Sequence, residues 1–211
     1  PSLNDRYSET ATTVPNRQLK PEKSQQYEMG FQHQTYDSLH PSGGWQVGGA
    51  LYYIRYSDFF EVRKLSGNRQ TKDNIGSARV VGTEWMAGYR WPLLHLQTDY
   101  NFMHARENHT GRHLRLAPEH RLGAEARHFI GFLMFYLRFE QSIRQFDYAY
   151  GSDQAQQLPN WKQWNIGFST NNLTNWEIKA GVTNLLNQRK EFVLGYPEPQ
   201  REFYLHVAHF F

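Results

Sequence analysis

From residue 23 onward, apolar and polar positions alternate with a period of two over most of the chain. That period marks strands with one greasy side and one wet side. Nine segments carry it. In 25–33, Tyr27, Met29 and Phe31 oppose Gln26, Glu28 and Gln32; in 45–62, Trp45, Val47, Leu51 and Tyr53 oppose Gln46, Gly48 and Ala50. In 77–91, Val81, Trp85 and Tyr89 oppose Glu84, Met86 and Arg90; in 93–106, Leu94, Leu96, Tyr100 and Phe102 oppose His95, Gln97, Asp99 and Asn101. Segment 119–131 sets Leu122, Ala124, Ala126 and Ile130 against Arg121, Glu125 and Arg127. Segment 133–146 sets Leu133, Phe135, Leu137 and Phe139 against Tyr136, Arg138 and Glu140. In 161–170, Trp164, Ile166 and Phe168 oppose Gln163, Asn165 and Ser169. Trp176, Ile178, Ala180 and Val182 alternate with Glu177, Lys179, Gly181 and Thr183, and Phe203, Leu205, Val207 and Phe211 close the chain on an aromatic residue.

Arg55 apart, no charged residue falls on the apolar side in the middle of a segment. A bilayer would enforce this, because Arg or Lys at its midplane costs about 2–4 kcal/mol. A soluble sandwich would enforce it too. The connections discriminate better. After 35–44, long links (63–76, 107–118, 147–160, 188–200) alternate with short ones (91–92, 131–132, 171–174). Outer-membrane barrels pair short periplasmic turns with long extracellular loops. The expectation is an all-β transmembrane antiparallel barrel, with residues 1–22, rich in turn formers, read as a loop.

Composition narrows this further. Aromatic residues make up 16% of the chain while the mean hydropathy is −0.76, as expected where only alternate residues meet lipid. No stretch approaches the roughly 18 apolar residues of a transmembrane helix. The net charge of +3 is not gathered into runs, which argues against nucleic acid as a partner while leaving phosphate-rich lipopolysaccharide compatible. There is no cysteine, hence no disulfide framework and no thiolate metal site.

Several stretches then resemble a family. Pro1-Ser-Leu-Asn-Asp-Arg-Tyr7, Leu19-Lys-Pro-Glu-Lys-Ser-Gln-Gln-Tyr-Glu-Met-Gly30 and Asn74-Ile-Gly-Ser-Ala-Arg-Val-Val-Gly-Thr-Glu84 resemble late-barrel strands of TonB-dependent outer-membrane receptors. Gly181-Val-Thr-Asn-Leu-Leu-Asn187, Gly195-Tyr-Pro-Glu-Pro199 and Arg201-Glu-Phe-Tyr204 resemble their closing strands, in the same order. The resemblance, nearest to cobalamin and siderophore receptors, implies a 22-stranded barrel filled by a plug that engages TonB. Residues 1–211 would be the C-terminal part of that barrel. Its partners would be the remainder of the receptor, TonB through the plug, the barrel-assembly machinery, outer-membrane lipid and a small-molecule nutrient. Phe203, Leu205, Val207 and Phe211 match the family's terminal assembly signal, while His209 stands where an apolar residue is usual.

No catalytic constellation is present. Ser42, Ser57, Ser66 and Ser142 lack a nucleophile-elbow context, and the chain is read as no enzyme, with no cofactor. His109 and His113 have a ligand-like spacing, but that spacing needs a helix and the segment reads as loop, so no metal is assigned. Trp45, Trp85, Tyr89, Trp91, Trp161, Trp164 and Trp176 are read as interfacial girdle. Ligand contacts are expected at the loop tips, from Arg69, Arg106, His109, Arg112, His113, Tyr148, Tyr150 and Asp153. The function expected is TonB-dependent uptake of a ferric siderophore, cobalamin, haem or similar nutrient across the outer membrane. A passive or structural barrel, or a secreted β-sandwich binding module, stands as the alternative.

Two pairings follow from counting. A two-residue turn at Trp91-Pro92 sets Glu84 against Asp99, an unfavourable pair that calls for an intervening cation or a register shifted by two. A two-residue turn at Gly131-Phe132 sets Glu125 against Arg138 on the polar face.

Overall fold

The computed structural model describes residues 2–36, 43–67, 69–115, 117–148, 154–170 and 175–210. In chain order it contains α1 (Leu3–Tyr7), β1 (Lys23–Gln34), β2 (Gly44–Lys64), β3 (Gln70–Arg90), β4 (Leu94–Glu107), β5 (His120–Ile130), β6 (Leu133–Ile143), β7 (Phe146–Tyr148), β8 (Ala155–Gln157), β9 (Trp161–Thr170), β10 (Trp176–Thr183), β11 (Glu191–Val193), β12 (Tyr196–Pro197) and β13 (Glu202–His209). Nine of these form one antiparallel sheet in the order β1-β2-β3-β4-β5-β6-β9-β10-β13, and β7–β8 and β11–β12 form two separate hairpins. The large sheet is open: β1 and β13 are its two edges.

The register shows what the alternation accomplishes. Trp45, Tyr89, Leu96, Ala126, Leu137, Ile166, Val182 and Phe203 lie side by side across eight strands. One residue along, on the opposite face, run Gln34, Gln46, Gly88, Gln97, Glu125, Arg138 and Asn165. Slipping a strand by one residue would exchange its apolar and polar faces, which in β5 brings Glu125 or Arg127 into the apolar row, so each register is strongly specified. Among the described residues no second layer covers the apolar row, and Trp45, Leu96, Leu137, Ile166 and Phe203 are exposed. A sandwich would bury that face against a partner sheet; an outer-membrane wall presents it to lipid.

The turn end contains two tight hairpins. Gly131, at φ 57°, supplies the left-handed residue of the turn that pairs Ile130 with Leu133. Trp91-Pro92 behaves differently. Arg90 pairs with His95, and Trp91 N–H donates to Leu94 O at 2.7 Å, closing a four-residue loop instead of a two-residue turn. The register is thereby displaced by two. Glu84 faces Asn101, whose amide donates to its carboxylate at 2.9 Å, while Asp99 faces Met86. The like-charge clash is avoided by the turn, with no cation required.

The loop end departs more from expectation. The link expected at 63–76 is largely strand, because β2 and β3 stay paired through Lys64 and Gln70. At 21 residues each, these strands are about twice the length a tilted strand needs to cross a bilayer, so their hairpin projects beyond the sheet. Residues 2–22 are not a free loop. They begin with α1 and then run along the hairpin, where Val14 N–H donates to Gln70 O and Gln70 N–H to Thr12 O, both at 2.8 Å. Asn16 caps the Lys72 carbonyl at 2.9 Å, Lys72 pairs with Asp5 at 2.8 Å, and Leu19 is fully buried. Strand β6 ends at Ile143, short of the expected 146, because Arg144 adopts φ 58°. The links expected at 147–160 and 188–200 contain the β7–β8 and β11–β12 hairpins.

Trp161 is corrected as a girdle residue. It shares the polar face with Gln163, is 6% exposed, and packs 5.3 Å from Phe192 with the Lys190 ammonium over its ring. The other expected girdle residues stay at the apolar surface, with Trp45, Tyr89 and Trp91 in a chain at 4.5 and 6.3 Å. His209 lies on that face against Trp176, ring centroids 4.5 Å apart, so an aromatic contact replaces the usual apolar residue.

Candidate functional site at the loop end

The site is built on backbone continuity above the sheet. Before β5 begins, residues 112–114 turn back along β4: Glu107 N–H donates to Arg112 O at 2.9 Å and Leu114 N–H to Ala105 O at 3.1 Å. Arg106 and His113 form the intervening bridge. Alternation then puts Arg112 and Leu114 on the polar-face side and His113 on the other.

On the polar-face side a recess of about 370 Å³ opens between Tyr56, Phe59, Phe60, Val80, Met103, Ala105, Leu114 and Tyr148, with Arg112 and Arg115 at its edge. The Arg112 guanidinium stands 4.8 Å from the Tyr148 ring centroid, a cation–π contact. Tyr148 O–H donates to His113 O at 2.7 Å. This recess combines flat aromatic faces with the Arg112 and Arg115 guanidinium groups and the buried Glu107, a lining that suits a planar ligand carrying polar groups. A larger recess of about 560 Å³ lies at the turn end, lined by Arg90, Glu125 and Arg127 together with Trp45, Tyr89 and Phe129.

Asp147 holds the loop end together. Its carboxylate is 1% exposed and accepts from Leu194 N–H at 3.0 Å, from Tyr148 N–H at 2.8 Å and from the Arg115 guanidinium at 2.9 Å. Burial pushes its pKa up, but the two backbone donors and Arg115 outweigh burial and hold it below the usual carboxylate value. Gln145 adds a bond to Phe192 O at 2.8 Å. The β7–β8 and β11–β12 hairpins are thus joined through side chains 47 residues apart in sequence.

Of the residues expected to contact ligand, Arg112 and Tyr148 meet at this recess and His113 adjoins it, whereas Arg106 stands on the other side, facing Glu119. Arg69 is elsewhere: it pairs with Glu9 of the N-terminal segment. His109 is exposed in the turn after β4, away from the recess lining. Tyr150 and Asp153, like Phe211 of the terminal signal, lie outside the described residues. Phe203, Leu205 and Val207 are exposed on the apolar face of β13. Glu125 and Arg138 face each other at 3.3 Å, and Arg138 also reaches Glu140 at 3.1 Å while Arg127 pairs with Glu125. Glu140 takes its second contact from Asn165 at 3.3 Å, and Arg121 stands diagonal to it, opposite Ser142.

Sequence reasoning missed Tyr56, Phe59 and Phe60, which reach the recess only because β2 and β3 extend so far. It also missed Arg115, Glu119 and Asp147. One signal was available: Glu119 and Glu107 are the only acids among Arg106, Arg112, His113 and Arg115. Among the described residues no group of three or more His, Asp or Glu is placed to hold a metal ion.

A family model described as TonB dependent receptor-like, beta-barrel matches residues 1–185. A search of curated protein sequences found no match. Among solved structures, the copper transporter OprC superposes with a TM-score of 0.80 at 19% identity, covering 100% of this chain and 35% of that one. The siderophore receptor PirA from Acinetobacter baumannii gives 0.73 at 17% identity, with 93% of this chain and 33% of that one. A ferric enterobactin receptor mutant from Pseudomonas aeruginosa gives 0.74 at 20% identity, with 93% and 32%. The chain therefore spans about a third of the solved chains it matches. With residues 1–185 matched and the whole sheet superposing on such barrels, the chain belongs to the TonB-dependent receptor-like β-barrel family of the outer membrane.

Proposed function

We propose that this chain forms the C-terminal wall and part of the extracellular mouth of a receptor that imports a scarce nutrient across the outer membrane with energy from TonB. The remaining strands and the plug of the same receptor would close the sheet, because an open edge is untenable in hydrocarbon. The barrel-assembly machinery would read the end of β13. The observation that carries the reading is the pair of adjacent rows, wholly apolar on one face and polar or charged on the other, within a sheet that the family model matches.

The recess supports a reading of the cargo class. The similar solved structures include a copper transporter and a siderophore receptor. Aromatic faces with Arg112 and Arg115 favour an anionic chelate over a bare metal ion. Glu125 and Arg138 would fix register and meet the plug. The test is uptake of a radiolabelled ferric triscatecholate by cells carrying the complete receptor. Replacing Arg112 and Arg115 together with Ala should reduce uptake at least tenfold, and loss of TonB should abolish it. TonB-independent passage would establish a passive pore instead, and extraction without detergent would establish a soluble sandwich.

A further inference from the structure

Four cationic or protonatable side chains converge on one acid at the loop end, on the side of the apolar face. His104 and Arg106 share a face of β4 with Phe102 and Tyr100 by alternation, and His113 stands opposite Arg106. Glu119, 5% exposed, lies among them: Arg144 Nε donates to it at 2.9 Å, while Arg106, His113 and His104 stand at 3.6, 3.6 and 3.7 Å. Those last three separations are too long for hydrogen bonds. One carboxylate is set against two guanidinium groups, leaving an excess of positive charge before either histidine binds a proton. His113 is stacked on Phe146 at 3.6 Å, and burial, together with the nearby Arg106, lowers its pKa.

The position of this excess matters. The next residues down the same face are aromatic or apolar: His120 lies 5.2 Å from the Phe102 ring and accepts or donates a bond with Tyr100 Oη at 2.8 Å, and Leu122 follows, exposed. A cationic cluster directly above an uncovered apolar wall is where an anionic headgroup sits when its acyl chains lie against that wall. Arg144 and His104 are half exposed, with side-chain accessibilities of 52% and 41%, so the cluster is open to that layer. Arg suits phosphate through its paired N–H groups.

We propose that Arg106, His113 and Arg144 form a binding site for the phosphate of an outer-leaflet lipopolysaccharide, with His104 at its rim and Glu119 holding the cations in place when the site is empty. The inference rests on the outer-membrane placement and not on the identity of the cargo. On binding, phosphate oxygens take the N–H groups that stand too far from Glu119, and the lipid clamps the β4–β5 loop to the end of β6.

The test uses the complete receptor in detergent and measures binding of diphosphorylated lipid A, its dephosphorylated form and inorganic phosphate by native mass spectrometry. Wild-type receptor should retain the phosphorylated lipid at least tenfold better than the dephosphorylated one. The pair Arg106→Gln with Arg144→Gln should erase that preference while heat-modifiable migration stays unchanged. Arg144→Lys, which keeps the charge, should retain most of it and guards against a folding artefact. Equal retention of both lipids by the wild type would overturn the proposal. So would inorganic phosphate binding as tightly as the lipid, which would mark a soluble-anion site.

Discussion

The two ends of the sheet are held by different physics. At the turn end, β3 and β4 are joined by three residues and β5 and β6 by two, and each partner there follows from its neighbour along the chain. Gly131 sets one turn, and the ladder above it pairs Ala126 with Leu137 and Glu125 with Arg138 by simple counting. At the loop end, contacts bridge residues far apart in sequence: Asp147 to Leu194, Gln145 to Phe192, Asn16 to Lys72. Local geometry makes the first end rigid and modular. The second depends on a few buried polar groups, each of which matters more singly.

The comparison predicts where damage concentrates. The largest effect is expected on the wall's apolar row. Leu137→Arg, mid-strand between Ala126 and Ile166, should cost about 2–4 kcal/mol and impair assembly. Gln97→Arg, one face away and opposite Glu125, should be neutral within about 0.5 kcal/mol. Denaturant unfolding of the complete receptor in detergent checks both, and equal damage would mean that the faces are wrongly assigned.

Next comes the hub of the mouth. Asp147→Ala strands two backbone N–H groups and the Arg115 guanidinium, costing about 2–3 kcal/mol. Because Arg115 is half exposed, that figure refers to the loops alone. Hydrogen exchange should quicken across residues 184–201 while the turn end keeps its protection. The same carboxylate sets an acid limit. Its folded pKa lies below that of the unfolded chain, so its stabilisation is full above about pH 4 and is lost as pH falls below that. Asp147→Asn should remove this acid-dependent step from the exchange of the Leu194 amide.

Third is a close approach on the polar face. Tyr136 and Tyr204 touch hydroxyls across Gly167 and Gly181. A Cβ on Gly181 would lie 2.6 Å from the Ile166 carbonyl and 2.7 Å from the Tyr204 hydroxyl. Since one of these is backbone, the strand itself must shift, and Gly181→Ala should cost about 1–3 kcal/mol in the same unfolding assay. The smallest effect belongs to the ion pair found by counting. A double-mutant cycle with Glu125→Gln and Arg138→Met should return about 0.2–1 kcal/mol of coupling. A larger value would show that this part of the wall is poorly hydrated.

Particular residues show how far the sequence reaches. Leu133, Phe135, Leu137 and Phe139 against Tyr136, Arg138 and Glu140 fix both the face and the period of β6 without any structure. Trp91-Pro92 shows the limit even at the turn end: two turn lengths were open there, and the Glu84–Asp99 conflict flagged the choice without making it. Residues 2–22 illustrate a different failure. Their proline- and threonine-rich composition is that of a loop, and only the projecting β2–β3 hairpin gives them a surface to lie along.

What the chain determined by itself is therefore the wall: nine strands, their faces, their order, and the family to which they belong. The period of two is a local property that each strand repeats, and one misplaced charge would betray a wrong register. The loop end was decided by the tertiary structure. Tyr56, Phe60, Arg112, Arg115 and Tyr148 meet because strands outrun the membrane and loops dock through Asp147. Contacts between residues dozens of positions apart leave no periodic trace, since the side chains that make them are the same polar and aromatic types that a solvated loop would carry.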